Sequence, residues 1–335
     1  MRTIIIAEAG VNHNGDIEIA RKLIELAGSA GADYVKFQTF NSKKLVTDFA
    51  KKANYQFKFL NDSENQLQML QKLELPLASY SELNTVAKLS GVGFLSTAFD
   101  IENLDFLVNL GMDYIKIPSG EITNFPFLRH VGRLQKKVLL SSGASSLADI
   151  GYALSVLQKF GAVLEDVTVL HCTSAYPAPF EEVNLLALNK IAEKFGVNVG
   201  YSDHTEGIAV SIGAVALGAK VIEKHFTLDQ EMEGPDHKAS INPHQLVELV
   251  TGIRKIDSAL GDGHKKVTTS ELENQQLIRR SIVANREISE GEMFSDENLT
   301  TKRPAGGISP MDWESLIGKP AKRDYLENDQ IEFEL

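Results

Sequence analysis

Val197-Asn198-Val199-Gly200-Tyr201-Ser202-Asp203-His204 leads through the helical pattern Ala209–Leu217, which stops at Gly218, into Lys220-Val221-Ile222-Glu223-Lys224-His225. The two flanking runs, Val197–Ser202 and Lys220–His225, lack the strict alternation of a half-exposed strand, as expected for strands covered on both faces. A strand, a helix and a second strand in this order call for a parallel sheet. Working outward, the same unit recurs toward the N-terminus. Further strand-like runs are Ile4–Glu8, Asp33–Gln38, Gly93–Thr97, Tyr114–Pro118, Val138–Ser142 and Val167–Cys172. Helical patterns lie between them: Ile17–Ala27 before Gly28, Leu104–Leu110 before Gly111, Leu147–Phe160 before Gly161 and Leu185–Phe195 before Gly196. Eight such units in about 260 residues predict an α/β fold, a (β/α)8 TIM barrel, whose usual size is about 250 residues. A doubly wound open sheet is the alternative.

The second unit is irregular. About 50 residues separate Gln38 from Gly93, and loops of such length are usually functional lids or mobile segments. Residues 41–65 are polar and mixed, with Lys43, Lys44, Lys51 and Lys52. A composition shift follows Leu260. Gly261–Lys266 is Gly-rich and charged, and Thr268–Arg280 reads as a polar helix that Thr269 or Ser270 caps. Ser281–Leu335 reads as a small unit with strands at Ser281–Ala284 and Gln330–Phe333 and a short helix near Asp312–Leu316. The expected division is therefore a barrel over 1–262, a linker over 263–280 and a small domain over 281–335. A unit of that size folds alone only marginally, so docking on something is expected.

Composition removes several function classes. Of 335 residues, 43% are hydrophobic and 24% charged, a globular balance. The net charge of −11 disfavours nucleic acid and anionic lipid as partners. The longest nearly apolar run, Ile212–Ile222, is too short for a membrane span and carries Lys220. Glu8 interrupts the N-terminal apolar run before a signal-peptide core forms. The single cysteine, Cys172, excludes an internal disulfide and fits a reducing, cytoplasmic setting.

In a (β/α)8 barrel the active site lies at the C-terminal ends of the strands. Those ends read Glu8, Lys36 with Gln38, Ser96-Thr97, Lys116 with Ser119 and Glu121, Ser141-Ser142, His171 with Thr173, Ser202 with His204, and Glu223 with Lys224 and His225. One polar end is explained by helix capping. Eight convergent polar ends describe a charged pocket. Lys36 and Lys116 with the hydroxyls of Thr97, Ser119, Ser141 and Ser202 suit a phosphate. No P-loop or dinucleotide fingerprint occurs, so a small phosphorylated metabolite is favoured over a nucleotide. His204 and His225 end consecutive strands and suit a divalent metal: Mn²⁺, with Mg²⁺, Zn²⁺ or Co²⁺ as alternatives. Cys172 reads as a buried, inert thiol. His13, in the turn Asn12-His13-Asn14-Gly15, reads equally as structural or substrate-facing.

These residues sit in motifs that resemble the sialic-acid synthase family. They are Ala7-Glu8-Ala9-Gly10-Val11-Asn12-His13-Asn14-Gly15, Val35-Lys36-Phe37-Gln38, Leu95-Ser96-Thr97, Lys116-Ile117-Pro118-Ser119-Gly120-Glu121, Tyr201-Ser202-Asp203-His204-Thr205, Glu223-Lys224-His225-Phe226-Thr227 and Gly234-Pro235-Asp236. Lys302-Arg303-Pro304 with Gly306-Gly307-Ile308 resembles the family's C-terminal antifreeze-like (SAF) domain. The resemblance implies condensation of phosphoenolpyruvate with an N-acylated mannose-type sugar, giving a nine-carbon 2-keto acid and phosphate. It implies that Lys36, Thr97, Lys116, Ser119, Ser141 and Ser202 hold phosphoenolpyruvate, with Glu121 and Ser174 also among the binding residues. It implies a metal on His204 and His225, and a sugar facing Glu8, Gln38, Tyr176, Asp236 and Arg303. It further implies a homodimer in which each C-terminal domain is swapped over the partner's barrel.

Ser174 stands where N-acetylneuraminate-making members tend to have Asn, and His237-Lys238 follows Asp236 where they tend to have apolar residues. The motifs look more like the legionaminic-acid branch, which uses 2,4-diacetamido-2,4,6-trideoxymannose. N-acetylneuraminate and pseudaminate synthesis are the alternatives. A deoxy-ketoacid-phosphate synthase lacks the C-terminal domain, and a saccharide- or ice-binding module leaves the eight polar strand ends unexplained.

Overall fold

The computed structural model describes residues 2–50 and 65–332. Most of the polar insertion read at 41–65, with Lys51 and Lys52, lies outside the described residues, as does Phe333. The chain divides into two compact units, Met1–Gly261 and Asp262–Leu335.

The first unit is a closed parallel barrel in sequential order. Its strands are β1 (Ile4–Gly10), β2 (Tyr34–Thr39), β3 (Gly93–Ala98), β4 (Tyr114–Ile117), β5 (Lys137–Ser141), β6 (Val167–His171), β7 (Asn198–Asp203) and β8 (Val221–His225). β8 pairs back onto β1, so no sheet edge remains open, and the open-sheet alternative is excluded. The intervening helices bury one stripe each. In Ile17–Ser29 that stripe is Ala20, Leu23, Ile24 and Ala27 at helical spacing, and Asp16 caps the first turn by accepting from the backbone of Glu18 and Ile19. Ser146 with Asp149 and Asn242 with Gln245 form capping boxes on Leu147–Lys159 and Pro243–Ala259.

Register decides which strand-end residues meet. Glu8 lies level with Lys36 on one side and His225 on the other. Thr97 lies level with Lys116, and Ser202 with Glu223. Side chains alternate along a strand, so Lys36 and Gln38 share a face, as do Glu223 and His225. Lys224, between the last two, points to the opposite side.

The insertion between β2 and β3 contributes the helix Gln66–Leu73, started by a capping box of Asn65 and Gln68. Met69 and Leu73, one turn apart, pack with Val11 and Phe40 in a small apolar cluster beside the main core, with Leu45, Leu70 and Phe99 against it.

The second unit has its own core of Ile282, Ala284, Ile288, Phe294, Leu299 and Tyr325 among others. β9 (Ser281–Ala284) and β10 (Leu299–Lys302) pair antiparallel, and Gln330 forms a bridge to Val283. The helix Thr269–Ile278 is capped by Thr268 rather than by the expected Thr269 or Ser270. There the Glu271 carboxylate accepts from both the backbone N–H and the hydroxyl of Thr268, each at 2.8 Å. The short helix near the expected place is Trp313–Leu316. Among the described residues no helix is long and apolar enough to cross a membrane.

Candidate active site

A pocket of about 290 Å³ opens at the C-terminal ends of the barrel strands. Of the residues given a role from sequence, all but Glu121 and Arg303 line it, whereas Ser96, Ser142, His171, Thr173 and Lys224, read as polar strand ends of the same pocket, do not. Glu121 bonds Asn124 within the turn after β4, while its neighbour Gly120 reaches the pocket instead. Arg303 is an exposed residue of the second unit.

The floor is a mixed-charge cluster. Lys36 Nζ lies 2.7 Å from Glu8 Oε2 and donates to Thr97 Oγ1 at 2.8 Å. Lys116 Nζ donates to Glu223 Oε1 at 3.0 Å, and the Ser202 hydroxyl donates to the same oxygen at 3.0 Å. Lys36 also lies 3.6 Å from Glu223 Oε2. All four ionisable side chains are buried. Burial pushes the Glu8 carboxyl up to about 7, against the pull of Lys36 and with the help of Glu223. Burial opposes ionisation of Glu223 too, but Lys116 and Lys36 hold its carboxyl well below the usual carboxylate range. Burial works against the Lys36 charge, yet Glu223 and Glu8 keep its ammonium above the ordinary value. The cluster thus sets the two lysines against one firm carboxylate and one carboxyl that titrates near neutral pH.

The wall near β5 and β6 carries hydroxyls. An added Cβ at Gly143 would lie 2.0 Å from Ser174 Oγ, 2.7 Å from Ser119 Oγ and 2.9 Å from Cys172 Sγ, so these three groups converge on one glycine. The Ser141 hydroxyl is buried without a hydrogen-bond partner. A buried unpartnered hydroxyl is unfavourable by about 1–3 kcal/mol, which a bound acceptor would relieve. Cys172 is buried, and burial raises its thiol, as suits an inert side chain.

The imidazoles stand just after β7 and at the end of β8. His204 and His225 have ring centroids 5.8 Å apart, and Tyr176 lies 4.2 Å from the first and edge-on to the second at 5.9 Å. The Thr173 carbonyl accepts a hydrogen bond from His204 Nδ1 at 2.8 Å, which assigns the proton to Nδ1 and leaves Nε2 with its lone pair. His225 Nδ1 is buried with no partner. Burial lowers both imidazoles, His225 well below the ordinary value with help from His204 and Lys36. Two neutral rings with free ring nitrogens are the state that ligates a divalent ion. No group of three or more metal-ligating side chains occurs among the described residues, so an ion here would complete its shell with water or substrate oxygens. An added Cβ at Gly10 would touch His225 Cε1 at 3.3 Å and Gln38 Nε2 and Glu8 Oε1 at 3.4 Å, which marks where β1, β2 and β8 side chains converge.

Asp236 closes the rim. Burial alone pushes its carboxyl up to about 6. Its loop is tied down by neighbours. Ser240 Oγ donates to the Asp236 carbonyl at 2.6 Å and accepts from Asn12 Nδ2 at 2.9 Å. His237 is fully buried, 2.7 Å from Thr227 Oγ1 and 3.3 Å from Asn14 Oδ1, so it braces the loop and does not line the pocket. Lys238 is exposed. His13, left open by the sequence, is also outside the pocket lining. Its Nδ1 accepts from the Gly15 backbone at 3.0 Å, and burial lowers it to about 4.

Two groups of lining residues were given no role from sequence. Glu223 was read as a polar strand end of the pocket and no more, yet it joins Lys36, Lys116 and Ser202. The signal was present: two positions before His225 on a strand, it shares that residue's face. Val11, Met69, Leu70, Leu73 and Phe99 form an apolar wall. No local pattern distinguishes their pocket-facing surface from ordinary core.

Comparison with known proteins agrees with this geometry. A family model described as the NeuB family matches residues 23–265, and one described as the SAF domain matches residues 279–334. The chain is 54% identical over 330 residues to the N,N'-diacetyllegionaminic acid synthase of Campylobacter jejuni, covering 98% of this chain and 99% of that protein. It is 44% identical to the protein of that name from Legionella pneumophila, covering 95% and 90% respectively. Among solved structures, the N-acetylneuraminic acid (sialic acid) synthetase of Leptospira borgpetersenii superposes with a TM-score of 0.72 at 33% identity, covering 82% of this chain and 90% of that one. With the polar barrel mouth, the small C-terminal unit and relatives matched end to end, the chain belongs to the NeuB family, the sialic-acid synthases, and carries a SAF domain.

Proposed function

We propose that this chain condenses phosphoenolpyruvate with 2,4-diacetamido-2,4,6-trideoxymannose, giving the nine-carbon 2-keto acid N,N'-diacetyllegionaminate and phosphate. The observation that carries the reading is the meeting of Lys36, Lys116 and the hydroxyls of Thr97, Ser119, Ser141 and Ser202 in one pocket with the imidazoles of His204 and His225. The names and identities of the two legionaminic acid synthases support the choice of sugar.

In this reading the lysines and hydroxyls hold the phosphate and carboxylate of phosphoenolpyruvate. Carbon 3 attacks the aldehyde carbon of the open-chain sugar, and the carbonyl electron pair becomes an alkoxide that takes a proton. Positive charge develops at carbon 2, water adds there with loss of a proton, and the tetrahedral adduct collapses by C–O cleavage, releasing phosphate. Glu8 is the group for proton movement, since its carboxyl lies near 7 and is buried at the pocket floor. Glu223, held ionised, stays as a fixed negative charge facing the developing cation. Gln38, Tyr176 and Asp236 take the sugar's polar groups. His204 and His225 hold a divalent metal, Mn²⁺ in our reading. When bound, such an ion supplies Lewis-acid polarisation of the aldehyde oxygen.

The reading assigns 1–262 to catalysis and 281–335 to a lid joined by 263–280, in a cytoplasmic homodimer with the lid swapped onto the partner and Arg303 acting in trans. Mixing Arg303→Ala with His204→Ala chains then restores activity through hybrid sites. Verified subunit exchange without recovery overturns the swap. For the reaction itself, the test is phosphate release and product mass with the diacetamido sugar and N-acetylmannosamine side by side. Activity is expected to vanish with chelator and return with Mn²⁺. No phosphate release with either sugar in the presence of Mn²⁺ sinks the reading.

A further inference from the structure

The pocket is two-sided in its chemistry. Lys36, Lys116, Glu8, Glu223 and the hydroxyls are on one part of its lining. The helix Gln66–Leu73 brings Met69, Leu70 and Leu73 to another part, joined by Phe99 just beyond β3 and Val11 just beyond β1. None of these five side chains bears a hydroxyl, amide or charge. Met69, Leu73 and Val11 are buried and packed on Phe40, which fixes the wall, while Leu70 and Phe99 stay only half-buried. A fixed apolar surface inside a polar pocket fits a ligand with one methyl-rich part.

We infer that the wall formed by Leu70 and Phe99, backed by Met69 and Leu73, is the specificity element that receives the methyl-bearing part of the sugar. The inference rests on the proposed condensation and names what selects its sugar. A 2,4-diacetamido-2,4,6-trideoxy sugar presents two acetyl methyls and a methyl at carbon 6. N-acetylmannosamine presents one acetyl methyl and a hydroxyl at carbon 6, which this wall leaves without a hydrogen-bond partner. The His237-Lys238 dipeptide, which marks the branch in the sequence, is not the reading surface: His237 is buried against Thr227 and Asn14, and neither residue lines the pocket. An apolar pocket discriminates one methylene by roughly 10- to 200-fold and an added hydroxyl by about 100-fold. The wall therefore supplies a preference of that order and no absolute exclusion.

The test is the ratio of kcat/KM for the diacetamido sugar to that for N-acetylmannosamine, in the unmodified protein and in Leu70→Asn. A polar side chain of similar size is expected to lower the ratio about tenfold and leave the KM for phosphoenolpyruvate unchanged. Phe99→Gln, at a second half-buried position, repeats the test should Leu70→Asn fold poorly. A ratio unmoved within about twofold in both folded variants overturns the inference while the condensation stands. Direct calorimetric binding of each sugar separates the other case. Tighter binding of the diacetamido sugar that Leu70→Asn abolishes, in a protein that releases no phosphate, supports the wall and sinks the reaction. Equal binding of both sugars, or none of either, sinks the wall.

Discussion

Glu223 and Lys224 are adjacent in sequence and both buried, yet they belong to two different kinds of charge cluster. Lys224 faces away from the pocket. Its ammonium lies 3.1 Å from Asp203 Oδ2 and donates to the Thr205 carbonyl at 2.5 Å. Asp203 in turn accepts from the Thr205 backbone at 2.8 Å, the Thr205 hydroxyl at 2.7 Å and the Ser211 hydroxyl at 2.5 Å. Neither side chain of this pair carries a buried polar atom without a partner. On the pocket side, Ser141 Oγ and His225 Nδ1 have none, and Glu223 Oε2 has no hydrogen bond, only the Lys36 ammonium at 3.6 Å. The difference separates structure from function. A saturated buried pair ties β7, β8 and the following turn together, and a substrate has nothing to offer it. The unsaturated cluster holds bonding capacity that only a ligand completes.

Breaking the saturated pair gives the largest stability effect expected. Lys224→Met leaves Asp203 buried without its cation and should lower the unfolding free energy by roughly 3–5 kcal/mol. Denaturant unfolding reads this directly, and the folded fraction should keep its affinity for phosphoenolpyruvate. A loss below about 1 kcal/mol would mean the pair is no more structural than the pocket cluster.

Asp236 sharpens the contrast, because it is a buried pocket carboxyl raised by burial alone. Its folded value of about 6 lies above the ordinary 3.8 of an aspartate. The folded state therefore keeps the proton that the unfolded chain loses between those pH values. Stability from this group is full below pH about 4 and falls as pH rises to about 6, by about 3 kcal/mol in all. Asp236→Asn should remove that fall, leaving the variant more stable than the parent at pH 8 and level with it at pH 4. It should also weaken sugar use. Melting curves at the two pH values decide it, and a parallel pH dependence in parent and variant counts against the assignment.

Lys36→Met tests the pocket cluster against Lys224→Met. Here Glu8 can keep its proton once its cation is gone, since its carboxyl already sits near 7, and Glu223 retains Lys116. Folding should change by less than the roughly 3–5 kcal/mol expected of Lys224→Met. The KM for phosphoenolpyruvate should rise about tenfold to a hundredfold, the equivalent of roughly 1.5–3 kcal/mol for a lost charge-assisted hydrogen bond. Equal destabilisation in the two methionine variants would erase the distinction.

The smallest effect belongs to Ser202→Ala, which removes one donor from Glu223 while Lys116 remains. About 1 kcal/mol, or a fivefold change in kcat/KM, is expected. A hundredfold loss would place Ser202 in direct contact with the reacting groups.

Much of this was legible from the chain alone. The period of strand-like and helix-like runs determined the barrel, because every βα unit must bury its own apolar stripe and the stripes repeat. The polar strand ends determined which residues share a mouth, because parallel strands in a closed barrel end together, and that placed Lys36, Lys116, His204 and His225 without knowledge of any contact. Glu121 shows the limit: a polar residue past a strand end can turn into its own loop, and the turn at Ser119–Glu121 sends this one to Asn124. The tertiary structure alone decided how charge is shared among Glu8, Lys36, Lys116 and Glu223, since that depends on register between strands far apart in sequence. It alone decided that His237 braces a loop, and that Met69, Leu70 and Leu73 face a pocket. An apolar residue carries the same local signature against a core or a ligand, and only the neighbours supplied by the fold determine which one it meets.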